Sequence, residues 1–233
     1  MSFIVALPSV TMPFAVVFMA FLFGFTPGAI PFGFLVGRIR GIDLRRHGSG
    51  NIGFTNVIRV MGWQYGVPVL LLDLAKGLLP VLFLPSLVHG LSDGPRELLL
   101  IDNLFGARFE LLRVLTGFSA ILGHLFTPVL RFKGGKGVAT TAGVVLALAP
   151  RTFLLCLALF LIILLATRYL SLASMSAAVA LPFATVFLSR GQWATFGFTV
   201  LVALLILISH RANVRRLLAG NEHRFVWRSR KDT

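Results

Sequence analysis

Negative charge is almost missing from this chain of 233 residues. Eight Asp and Glu stand against 22 Lys and Arg, and charged residues of both signs make up only 13%. The hydrophobic share is 57%, above the roughly 45–50% of ordinary globular domains. So few charges cannot cover a soluble domain of this size, and the chain reads as an integral membrane protein. Cysteine is nearly absent as well. The single Cys156 rules out an internal disulfide or a thiolate metal cluster, and its place inside an apolar run makes it lipid- or core-facing. Repeats and low-complexity tracts are also missing. The first apolar run has no basic stretch before it and no small-residue cleavage site after it, so it reads as a membrane helix rather than a signal peptide.

What is present is a series of apolar runs. A spanning helix needs roughly 20 such residues, and candidate spans fall at 13–36, 66–88, 109–130, 138–149, 152–167, 170–188 and 193–209. The sequence therefore predicts an all-α membrane protein of seven transmembrane helices, with 1–233 as one domain. The fourth span is short, and is expected either to cross incompletely or to begin inside a cavity. Pro150-Arg151 after it reads as a tight turn. Gly24, Gly28, Gly33 and Gly37 give the first span a small-residue stripe suited to close helix contact.

The formal net charge of +14 resembles a nucleic-acid binder's, but its placement argues against that partner. The basic residues gather in loops and tail. The loop after the first span (Arg38, Arg40, Arg45, Arg46, Arg59), the loop at Arg131–Lys136, Arg168, and the tail from Arg211 through Arg228, Arg230 and Lys231 fall on one side. Only Arg96, Arg108, Arg151 and Arg190 fall on the other. The positive-inside rule then puts the N-terminus outside and the C-terminus in the cytoplasm.

Three polar segments share that cytoplasmic side. The first is the loop 48–56, with Gly48, Gly50 and Gly53 beside Ser49, Asn51, Thr55 and Asn56, followed by Arg59. Consecutive amides in such a turn form an anion-binding concavity, which suggests a phosphate-bearing substrate; a tight turn with a basic flank is the plainer reading. The second is His124 followed by Gly134, Gly135, Lys136 and Gly137 at the start of the fourth span. Helix N-termini favour anions, but Gly137 after the lysine excludes a Walker A loop, and a glycine turn with interfacial lysines is the alternative. The third closes the last span. His210 and Asn213 are three apart and share a helix face, beside the basic residues of a juxtamembrane helix that could equally bind anionic headgroups. Inside the membrane, Asp73 and Lys76 at i, i+3 spacing read as a mutually neutralised structural pair away from the cytoplasmic mouth. Ser171 is expected to cap a helix.

With these segments in view, the chain resembles the bacterial integral-membrane acyl-phosphate:glycerol-3-phosphate acyltransferases. The matching stretches are GAIPFG at 28–33, GIDLRRHGSGNIGFTNVIR at 41–59, LDLAKG at 72–77, GHLF at 123–126, FKGGKGVAT at 132–140, RYLSLAS at 168–174 and HRANVRRLLAGNEHR at 210–224. Departures are Phe54 where the family usually has Ala, Pro128 displaced by one place, Ala212 for Glu and Ala29 for Ser. The resemblance implies transfer of a fatty acyl group from acyl phosphate to the 1-hydroxyl of glycerol-3-phosphate, releasing lysophosphatidic acid and inorganic phosphate. It implies a multi-pass protein of the bacterial inner membrane, with its active site at the cytoplasmic face. No cofactor or metal is implied, and physical or functional coupling to the enzyme that makes acyl phosphate is an expectation that goes with it. It places Ser49, Arg59, Lys136, His210 and Asn213 in the site.

On that basis Ser49 and His210 are the expected catalytic residues. The Ser49–Gly53 amides with Gly50, Asn51, Gly53, Thr55 and Asn56 would hold the acyl phosphate. Arg59, Lys136 and Asn213 would hold the glycerol phosphate, and His210 would orient that substrate or take the hydroxyl proton. No carboxylate falls in the three segments except Asp43 and Glu222, which disfavours a carboxylate base. The His-x4-Asp signature of other glycerolipid acyltransferases is absent: none of His47, His89, His124, His210 and His223 has Asp five residues on. The non-enzyme alternative is a transporter of a phosphate ester or lipid phosphate, against which stand the lack of an inverted repeat and of a carboxylate relay.

Overall fold

The computed structural model describes the backbone of residues 14–91 and 95–225, and the side chains among these outside 85–108. The beginning of the first candidate span, the residues before it, Arg228, Arg230, Lys231 and the side chains of Arg96 and Arg108 therefore lie outside the described residues. Among the described residues every regular element is helical. The helices are α1 (Phe14–Gly28), α2 (Phe32–Ile39), α3 (Phe54–Met61), α4 (Trp63–Leu91), α5 (Pro95–Leu125), α6 (Val138–Leu148), α7 (Pro150–Thr167), α8 (Leu170–Leu188), α9 (Trp193–Ser209) and α10 (Arg211–Leu218). Among the described residues, five helical segments are long and apolar enough to cross a bilayer, and six if the bent pair α9–α10 counts as one span.

The first span is broken where it was expected to run on. Pro31, at the N-cap of α2, has no N–H to give and pushes the residue before it out of the helical region. The glycine stripe is used as expected, though against several partners. A Cβ on Gly24 would lie 2.0 Å from the Thr116 carbonyl oxygen and one on Gly28 2.2 Å from that of Ala120, so α1 and α5 meet backbone to backbone. Gly33 approaches the Ile52 carbonyl of the glycine loop just as closely.

The short fourth span is α6. Its 11 residues rise roughly 16 Å, well short of a hydrocarbon core of about 30 Å. Most of α6 is buried, and Val144, Val145 and Leu148 share the main core with Val81 of α4, Ile121 of α5, Cys156 of α7, Leu181 of α8 and Val202 of α9. The neighbouring helices wrap α6. The expected turn at Pro150-Arg151 contracts to one non-helical residue, Ala149, and Pro150 opens α7, where its missing N–H costs nothing. In contrast to α6, α7 turns Leu154, Ile162 and Leu165 outward, as a lipid-facing helix does.

After α9 the chain bends by 57° into α10. It then runs back across the bundle: the Phe225 amide donates to the Arg168 carbonyl at the α7–α8 joint, and its ring meets Trp63 edge-on at 5.5 Å. This strap brings Glu222 and His223 to the same end of the bundle as the glycine loop.

Candidate active site

The glycine loop takes its shape from one side chain. Asn56, 1% exposed, accepts from the Ser49 amide at 2.8 Å and donates to the carbonyls of Asn51, His47 and Leu44 at 2.8, 3.0 and 3.2 Å. Gly48 permits this wrap. Its φ is +61°, and a Cβ there would lie 2.2 Å from Asn56 Oδ1, so only glycine fits. Asn51 Oδ1 accepts from the Gly53 amide at 2.8 Å, and the Gly50 amide donates to His47. The amides of Ser49, Gly50 and Gly53, expected to cradle an anion, are thus already paired. Those left over are Asn51 and Ile52 within the loop and Phe54 and Thr55 in the first turn of α3, where helix geometry leaves N–H groups unpaired. Asp43 accepts from the Arg45 side chain at 2.9 and 2.8 Å, which holds its carboxyl well below the usual range and keeps it out of the reaction.

The lysine turn is pinned from below. Gly134 and Gly135 donate to the carbonyls of Leu125 and His124 at the end of α5, and a Cβ on Gly135 would meet His124 Nε2 at 2.2 Å. His124 packs in turn toward Asp73, Nδ1 to Oδ1 3.6 Å, and Asp73 pairs with Lys76 at 2.7 Å. The expected intramembrane pair is formed, and Lys76 also donates to the Ile30 carbonyl at 2.8 Å, at the break in the first span. Asp73 and His124 nonetheless line the polar cleft, closer to the chemistry than their spacing implied.

Lys136 then reaches across to the third segment and donates to Asn213 Oδ1. Burial, with Arg216 and Arg59 nearby, lowers its pKa to about 8 against the opposing pull of Glu222. The Asn213 amide donates to Glu222 Oε1 at 2.7 Å, Ser171 Oγ donates to the same oxygen at 2.8 Å, and Arg216 Nε donates to Oε2 at 2.7 Å. Ser171 is therefore a tether between α8 and the tail strap, not the expected helix cap; the N-cap of α8 is Tyr169. Burial works against the charge on Glu222, but the bonds from Asn213, Arg216 and Ser171 prevail and hold its carboxyl below the usual range. His210 is 3% exposed, and its Nδ1 lies 2.8 Å from the Ile206 carbonyl. A carbonyl can only accept, so Nδ1 carries hydrogen, and in the neutral ring Nε2 is left as the acceptor.

These groups meet in one cleft walled by Ser49, Asn51, Gly53, Thr55, Asn56, Arg59, Lys136, His210 and Asn213. Of the ten expected catalytic and substrate-binding residues only Gly50 is missing from the wall; it is an exposed turn residue with φ +72°. Arg216 and Glu222, which sequence reasoning left unassigned, are part of the wall. The signal for both was the 210–224 stretch that carries the resemblance, in which Arg216 stands three residues beyond Asn213. Beside the cleft runs an apolar groove between α4, α6, α7 and α8. Leu71 and Leu157 on its walls are exposed, so it opens sideways toward lipid.

The family model described as glycerol-3-phosphate acyltransferase matches residues 18–220. The chain belongs to the glycerol-3-phosphate acyltransferase family. A relative so named from Geobacter sulfurreducens is 42% identical over 198 residues, covering 85% of this chain and 92% of that one. One from Aquifex aeolicus is 39% identical over 204 residues, covering 88% and 96%. The crystal structure of PlsY, an integral membrane glycerol 3-phosphate acyltransferase in its glycerol 3-phosphate form, superposes with a TM-score of 0.77 at 36% identity, covering 90% of this chain and 96% of that one. Its lysophosphatidic acid form gives 0.74 at 35%. This acyltransferase family member thus has the integral membrane fold of PlsY, with a buried polar cleft opening beside an apolar groove.

Proposed function

We propose that this chain transfers a fatty acyl group from acyl phosphate to the 1-hydroxyl of glycerol-3-phosphate, giving lysophosphatidic acid and inorganic phosphate. Family membership supports acyl transfer to glycerol-3-phosphate; the donor and the acylated position are our reading. The observation that carries it is the meeting of three polar segments from distant parts of the chain in one basic cleft beside an apolar groove. A phosphate-activated acyl donor needs anion contacts and a place for its tail, and this arrangement offers both. We further read the bundle as one domain of seven spans, with α6 as an enclosed short crossing, the N-terminus outside and the cleft facing the cytoplasm of a bacterial inner membrane.

In this reading the free amides of Phe54 and Thr55, with the hydroxyls of Ser49 and Thr55, hold the acyl phosphate at the positive end of α3. Arg59 and Lys136 hold the phosphate of glycerol-3-phosphate, and Asn213 fixes Lys136. The 1-hydroxyl oxygen attacks the acyl carbonyl carbon, the bond from that carbon to the phosphate oxygen breaks, and phosphate leaves with the bonding pair. The leaving group is good, so positioning and electrostatics supply most of the catalysis. Glu222 is ion-paired with Arg216 and Asp73 with Lys76, and among the groups on the cleft wall our reading gives the hydroxyl proton to His210 Nε2.

The decisive test is release of inorganic phosphate and formation of lysophosphatidic acid by purified protein given only acyl phosphate and glycerol-3-phosphate, without carrier protein or coenzyme A. Phosphate-ester uptake into vesicles without acyl transfer would favour the transporter instead. His210→Gln should lower kcat by about 10²–10⁴. Near-normal turnover in that variant would assign the proton to a phosphate oxygen of the donor.

A further inference from the structure

The polar cleft and the apolar groove are separate compartments with a narrow common wall. Four residues line both: Phe54, Val138, Ala139 and Ser174. Three are small or slender, and Phe54 is the one aromatic ring among them. Its position is fixed at both ends. Its backbone is the first residue of α3, directly after the Gly53 N-cap, and its ring packs on the cluster of Leu44, Val57 and Val69. One residue thus places an unpaired amide beside the phosphate end of the cleft and a bulky side chain at the mouth of the groove.

We propose that Phe54 is a specificity-determining residue that makes this throat selective for acyl chains unbranched near the carbonyl. The inference rests on the acyl-phosphate reading above. If the reacting carbonyl sits in the cleft and the tail in the groove, the carbons next to the carbonyl pass the residues that the two spaces share, Phe54, Val138, Ala139 and Ser174. An aliphatic chain is slender enough to lie along the ring. A methyl branch at that point needs room that the ring occupies, and a packed wall yields little. A branch at the far end of the tail lies well down the groove and does not meet Phe54.

The test uses full-length purified protein and three acyl phosphates of one carbon count: straight, methyl-branched at the β carbon, and methyl-branched next to the tail end. Phosphate release with glycerol-3-phosphate gives kcat/KM for each. The straight chain should be preferred over the β-branched one by about 10- to 200-fold in the wild type, the range of a one-methyl misfit in an apolar pocket. The preference should fall to within about threefold in Phe54→Ala and to an intermediate value in Phe54→Leu. The tail-branched chain should stay close to the straight one in all three proteins. Each preference is a ratio within one preparation, so loss of folded protein cancels, and Phe54→Leu carries the test if Phe54→Ala does not accumulate. The proposal is overturned if the wild type shows no such preference, if both variants keep it within about twofold, or if the tail-branched ratio moves equally. A wild type that releases no phosphate even from the straight-chain donor overturns the acyl-phosphate reading itself, a result distinct from all of these.

Discussion

Asn56 lines the cleft, yet its amide is engaged entirely within the loop and with Arg59, whose guanidinium lies 3.4 Å from its oxygen. We propose that it holds the loop rather than the ligand. Asp at this position could still accept from the Ser49 amide but could donate to none of the three carbonyls that Asn56 satisfies. Asn56→Asp should therefore be at least as damaging as Asn56→Ala, at about 1–3 kcal/mol for each buried carbonyl left unpaired, read as loss of thermal stability in detergent together with kcat. An Asp variant of wild-type stability would show that the loop is held in some other way. Lys136 gives a pH prediction. Its pKa of about 8 means that the ammonium is present below that value and is lost as pH rises through it. kcat/KM for glycerol-3-phosphate should fall above about pH 8, approaching tenfold per pH unit. Lys136→Arg, whose guanidinium stays charged, should move that fall upward whatever its effect on the maximum rate. An unmoved alkaline limb would assign it to another group.

Between helices, backbone contacts set the geometry. The α1–α5 seam depends on Gly24 and Gly28, whereas no residue of α1 lines the cleft. Gly28→Val should destabilise the bundle by about 1–3 kcal/mol, as overpacking does, and leave KM for glycerol-3-phosphate unchanged in the enzyme that folds. A shifted KM without lost stability would mean that the seam controls the cleft. The α5–lysine turn contact is different, because Gly135 lies against His124, which itself lines the cleft. The helix pattern itself was largely legible, since apolar runs and their Gly and Pro breaks are local properties. What the pattern missed were the break at Pro31, the contraction of the Pro150 turn to a single residue, and α4 and α5 extending beyond a membrane-sized window. The first follows from the proline itself and was hidden by the continuous apolar run; the other two depend on what neighbouring helices supply to the backbone.

The bundle as a whole gathers its basic loops and its cleft at one end, and the proposed topology puts that end in the cytoplasm. Cys156 is buried, so single introduced cysteines report cleanly. In intact cells an impermeant maleimide should label Gly191→Cys, in the exposed turn between α8 and α9, and should reach Lys133→Cys, beside the lysine turn, only after lysis. The opposite pattern would reverse the orientation and move the reaction to the outer face.

By itself the sequence determined the membrane class, the run of helices, the three polar segments and the residue types able to hold phosphate. These follow from composition and short-range spacing, which need no knowledge of distant neighbours. Only the tertiary structure decided which of those groups remain free to act. Lys136 and Asn213 are 77 residues apart when they bond, and Ser171 and Glu222 are 51 apart. Hydrogen-bond satisfaction is settled by whichever partner the packing brings within reach. It was packing that buried Asn56 inside the loop, removed Ser49, Gly50 and Gly53 amides from the binding surface, engaged Glu222, and set Phe54 at the junction of polar and apolar space.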